Sequence, residues 1–101
     1  MDEAKFSALM VKLQAATWTI SNAISNTKLF STEINEQKIK LYNVENGPLY
    51  INSQRPGLTE AQVQTILDFV NQLIEDFEPE IQAAIIARNQ SVATALGKIL
   101  E

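Results

Sequence analysis

Residues 6–44 read FSALMVKLQAATWTISNAISNTKLFSTEINEQKIKLYNV, and the period chosen for this stretch decides the fold. With Phe6 at position a of a heptad, Phe6, Leu13, Ile20, Thr27, Ile34 and Leu41 occupy a. Leu9, Ala16, Ala23, Phe30, Gln37 and Val44 then occupy d. Alternating steps of three and four draw one apolar stripe along a helix, whereas a strand shows its faces with period two. Neither Gly nor Pro interrupts residues 1–46. The pattern therefore predicts one long helix from Asp2 to about Val44. The weak point is Ile20-Ser21-Asn22-Ala23-Ile24-Ser25-Asn26, because Ser and Asn side chains compete for nearby backbone groups. A break within 25–32 is the rival. The stripe keeps its phase there and no capping box restarts a helix, so continuity is preferred.

Working outward, residues 45–58 hold Asn46-Gly47-Pro48 and Arg55-Pro56-Gly57, two turn signals around Leu49-Tyr50-Ile51. They read as a crossing loop. The competing hairpin, which pairs Leu41–Val44 with Leu49–Ile51, is opposed by Pro48, whose nitrogen cannot donate across a two-residue turn. Thr59 then opens a second helix, with Gln62 placed for a capping box and Leu58 for a staple onto Val63. From Val63 an apolar stripe runs through Ile66, Val70, Leu73 and Phe77, and it resumes after Pro79 as Ile81, Ile85, Val92, Leu96 and Ile99. Proline removes a backbone bond and clashes with the preceding turn, so a kink is expected at Pro79.

These readings give an all-α fold in a single domain, 1–101: arm 1 over about 2–44, a loop over 45–58, and arm 2 over about 59–100, paired as an antiparallel hairpin. Residues 1–44 carry five Lys against four acids, while 59–87 carry six acids and no base, which favours that pairing. Both arms are apolar over more than one seam. Met10, Val11, Ala15, Trp18, Ile24, Leu29 and Ile39 fall outside the a and d positions, and Phe69 and Ile86 lie beside the second stripe. Leaving such residues in water forfeits about 1.5–3 kcal/mol apiece. Two hairpins joined as a four-helix dimer would cover them, as would a compact three- or four-helix monomeric bundle. Met10, Val11, Trp18, Ile24, Phe69 and Phe77 are the expected interface anchors, with Tyr50 and Arg55 as an exposed loop contact.

Composition narrows the chemistry. The chain has 101 residues, is 46% hydrophobic and 20% charged, and holds only 3 Gly and 3 Pro, which is the profile of one folded domain. It contains no Cys and no His, which excludes thiol catalysis, disulfides, zinc fingers and the Ser/His/Asp triad. The net charge of −4 disfavours a duplex nucleic-acid partner. Glu75, Asp76, Glu78 and Glu80 form the densest ionisable cluster, but they lack the spacing and glycine of a calcium loop and read as a solvated face. No phosphate-cradling loop or nucleophile elbow is present, so neither an enzyme nor a cofactor is expected. No signal peptide or transmembrane run is seen, and a soluble, cytoplasmic setting is favoured. The expected role is a non-enzymatic assembly protein that binds itself or a helical partner through its surplus apolar face. The second candidate is a bundle that carries a lipid or other apolar small ligand.

Overall fold

The computed structural model describes residues 1–101 and is mixed α/β, not all-α. Its elements are α1 (Glu3–Ala15), β1 (Thr19–Ser21), β2 (Leu29–Ile34), β3 (Gln37–Tyr42), β4 (Leu49–Ile51), α2 (Glu60–Asp76) and α3 (Glu78–Leu100). The expected first arm over 2–44 is therefore one short helix and three strands. The expected loop contains a fourth strand, and the helical hairpin, coiled coil and four-helix bundle all fall with that arm.

The first helix stops because of Trp18. Asp2 caps its start, accepting from the Lys5 amide at 3.0 Å. At the other end the Trp18 indole Nε1 donates to the Leu13 carbonyl at 2.9 Å. That bond satisfies one of the carbonyls a helix terminus leaves unpaired, and it folds the ring inward. Thr19–Ser21 then forms β1, and the stretch rich in Ser and Asn that follows it, up to Lys28, is a loop. There the Asn43 side chain accepts from the Lys28 amide at 2.7 Å and donates to the Asn26 carbonyl at 2.8 Å.

The four strands lie in the order β1-β2-β3-β4, all antiparallel. Ile20, Phe30, Leu41 and Leu49 stand opposite one another across the sheet, so one inward row crosses all four strands. A two-residue turn, Asn35-Glu36, joins β2 to β3, with φ of 49° and 67°. Positive φ at both residues is the turn that suits the right-handed twist of a hairpin. The β3–β4 pairing is the hairpin that Pro48 had argued against. Its connection is longer than two residues, and Pro48 supplies its carbonyl to the Tyr42 amide at 2.9 Å, so no proline N–H is needed.

Helices α1 and α2 cover one face of the sheet. Phe6, Met10 and Leu13 from α1 meet Ile66, Val70 and Leu73 from α2 over Phe30, Ile39, Leu41 and Leu49, with Trp18 at the margin. The capping box expected at Thr59 and Gln62 is present, and the Gln62 side chain also reaches the start of α1. Its Nε2 donates to the Met1 carbonyl at 2.7 Å and to Glu3 Oε1 at 3.0 Å.

Helix α3 continues α2 almost in line. The Phe77 amide bonds the Leu73 carbonyl and the Ile81 amide bonds the Phe77 carbonyl, each at 2.9 Å, so the backbone ladder passes the Pro79 region. At ~1.5 Å per residue, a helix over 60–100 is about 60 Å long. The longest dimension of the molecule is 62 Å and the other two are 24 and 23 Å. The protein is thus a small two-layer head from which the second half of one long helix projects.

Candidate functional site

The projecting helix is where the chain keeps its uncovered apolar surface. Ile81, at the edge of the head, is 4% exposed, and Ala84 and Ile85 are half-buried. From Ile86 to Glu101 every residue is exposed. Seven large hydrophobic residues are exposed in the whole chain, and five of them, Ile86, Val92, Leu96, Ile99 and Leu100, belong to this arm. Val92, Leu96 and Ile99 follow Ile81 and Ile85 in helical phase, so they prolong the face that α2 buries against the sheet. Between Gln82 and Leu100 the only charged residues are Arg88 and Lys98. The opposite side of the arm carries Gln90, Ala83, Thr94 and Gly97, small or polar groups suited to water.

The expected anchors are divided by the fold. Met10 and Trp18 are buried in the head of a single chain, so they serve its own core. Phe69 packs edge to face on Trp18 with ring centres 6.0 Å apart, and Phe77 does the same on Phe30 at 5.4 Å. Ile39, another of the surplus residues, is also in that core. Val11 and Ile24 remain in water as isolated exposed residues on the head. The surface expected along arm 1 thus shrinks to little, while the second half of arm 2 holds most of it. Val92, Leu96 and Ile99 were visible as a stripe with Ile86 beside it, but only the position of the head shows which part of that stripe is free.

Tyr50 and Arg55 lie on the outer face of the sheet. The Arg55 guanidinium sits 5.6 Å from the centre of the Tyr50 ring, and its Nε donates to the Tyr50 hydroxyl at 3.0 Å. Tyr42 meets the same ring edge to face at 5.3 Å. These contacts satisfy one another and rigidify β3 and β4.

Little else on the surface converges. The largest depression, about 510 Å³, is open to solvent and lined by Asn46, Gly47, Pro48, Leu49, Arg55, Pro56, Leu58 and Val63. It mixes polar and apolar walls and has none of the character of a dry interior channel. No three acidic side chains gather to hold a metal ion. Within the acidic cluster, Asp76 and Glu78 are each bonded by a glutamine four residues away, Gln72 at 3.0 Å and Gln82 at 2.7 Å. No helix is long and apolar enough to cross a membrane. No family model, curated protein or solved structure matches the chain.

Proposed function

We propose that this protein is a non-enzymatic assembly subunit, an α/β head that carries a helical arm through which it associates. The observation behind the proposal is the row of exposed apolar residues on α3, with Val92 60%, Leu96 53% and Ile99 78% exposed. A helix that leaves such a row of large apolar side chains in water gains from a second surface that covers them. Arm residues 86–100 also include Asn89, Ser91, Thr94 and Gly97, poor or middling helix formers. Isolated helices of about this length are marginal in water, so association supports the arm's conformation as well as covering it.

Sedimentation of the purified chain beside the double variant Val92→Asp/Leu96→Asp tests this reading. The wild type is expected to run above its 11.3 kDa chain mass and the variant at that mass, with the fluorescence of Trp18, in the head, unchanged. A wild type that stays at 11.3 kDa at high concentration would overturn it.

A further inference from the structure

We infer that the outer face of the sheet binds single-stranded nucleic acid, its cations holding phosphates and its tyrosines stacking on bases. The site is separate from the arm. Helices α1 and α2 pack on the other face, so the side chains that alternate outward along each strand are left uncovered. Thr19, Ser31, Lys40 and Tyr50 stand opposite one another in register, and this outward row crosses all four strands. Lys38 and Tyr42 flank Lys40 on the same side of β3. Lys38 is exposed, and Lys40, Tyr42 and Tyr50 are half-buried.

Charge selects the class of partner. The chain carries −4 in all, yet this face holds Lys38, Lys40 and Arg55 against Glu33 alone. Glu36 and Glu45 lie in the connections at either end of β3, off the strands. The six acids of residues 59–87 belong to α2 and the start of α3, and α2 packs behind the sheet. Arg55 directs its Nε to the Tyr50 hydroxyl at 3.0 Å, not to a carboxylate. An acidic protein therefore presents one locally positive face, which attracts an anion.

The rings select nucleic acid among anions. An acidic peptide uses cations alone, whereas a single strand offers a phosphate and a flat base at every nucleotide. Lys40 faces Tyr50 across the strands at a Cβ separation of about 5 Å, and Lys38 and Tyr42 each lie about 7 Å from it along β3. Tyr42 meets the Tyr50 ring edge to face, and the Arg55 guanidinium lies 5.6 Å from the centre of that ring. Cations and stacking surfaces thus alternate on the scale of one nucleotide, and the Ser31 and Thr19 hydroxyls extend the row with further phosphate donors. A duplex keeps its base faces stacked inside and would leave the tyrosines unused. The platform tolerates many sequences, because every base has a π-face.

Fluorescence anisotropy of a labelled oligothymidylate, titrated with the full chain over a series of salt concentrations, tests this. The wild type is expected to bind, and more weakly as salt rises. Lys38→Ala/Lys40→Ala should weaken binding about tenfold or more at low salt and flatten the salt dependence. Tyr50→Leu and Tyr42→Leu should each weaken it about fivefold or more with the salt slope kept, while Tyr50→Phe, which retains the ring, stays near wild type. Trp18, in the core behind the sheet, reports by its emission that each head is folded. A wild type that does not bind at low salt would overturn the inference. So would affinity left unchanged by the lysine pair or by both leucine variants. Polyglutamate that displaces the oligonucleotide at equal charge would assign the face to an acidic protein segment instead. None of these results bears on association through the arm.

Discussion

The two halves of the long helix carry the same pattern and meet different fates. In α2, Ile66, Val70 and Leu73 are buried against the sheet. In α3, beyond Ile85, residues of the same type at the same spacing stand in water. Burial of each such side chain contributes about 1.5–3 kcal/mol, so the head collects that stabilisation within one chain and the arm does not. The contrast separates two uses of an amphipathic pattern. Where the chain supplies the opposing surface, the pattern specifies a core. Where it does not, the pattern leaves an apolar surface in water.

The largest effect that would sharpen this contrast belongs to the head. Trp18→Ala removes a buried ring, its edge contact with Phe69 and the indole bond that closes α1. A loss of about 3–5 kcal/mol is expected, a large share of the stability of a small domain. Denaturant unfolding followed by circular dichroism reads it, since the only tryptophan is gone. Val92→Asp/Leu96→Asp, by contrast, should leave the head's unfolding free energy at low protein concentration within about 0.5 kcal/mol of wild type. Equal losses in the two proteins would erase the distinction between head and arm.

A smaller effect is expected at Gln62, which is 1% exposed and ties the two helices together at their starts. Replacing it with Ala breaks half the capping box and strips the Met1 carbonyl and Glu3 carboxylate of their donor. The expected cost is about 2 kcal/mol, the sum of a damaged cap and lost partly buried bonds. Faster hydrogen exchange at the first turns of both α1 and α2, with α3 unchanged, would place the loss where the geometry puts it.

How far this contrast could be read from the sequence differs between the two halves of the chain. The second half was legible because its signals are local: the cap at Thr59 and Gln62 and an apolar period of 3.6 passing the proline. The first half was misread for a geometrical reason. Strand β2 points its even-numbered residues inward and β3 its odd-numbered ones, because a two-residue turn reverses the parity. Phe30, Ile34, Gln37 and Leu41 are thereby spaced four, three and four apart, which imitates a helix stripe. The turn lacked its usual mark as well, since Glu36 occupies a left-handed position where glycine is preferred. The contrary signal was already present in the residues a helical period left over. Met10, Trp18 and Ile39 had no place in a single helix seam, and all three are core residues of the head. An apolar surplus can therefore mean a wrong period as readily as a missing partner, and only that of α3 survives folding as a surface.

The smallest expected effect sharpens the contrast from the side of the arm. Gly97 lies on α3 with nothing within 4 Å of the position a methyl group would take, and its φ is not left-handed. Gly97→Ala should therefore fit without moving a neighbour. Gly97 opens the last turn of α3, where the exchange favours the helical state by at most about 1 kcal/mol, mainly because glycine loses more backbone freedom on ordering. If the arm is poised between helix and coil until a partner covers it, that increment raises helical dichroism in dilute protein. It also tightens association by up to about fivefold, while the denaturation midpoint of the head does not move. If the arm were instead held as firmly as α2, the dichroism would already be saturated and Ala would add nothing. Far-ultraviolet dichroism of wild type and variant over a dilution series separates the two cases, and it measures how much of the arm's order comes from the surface that covers it.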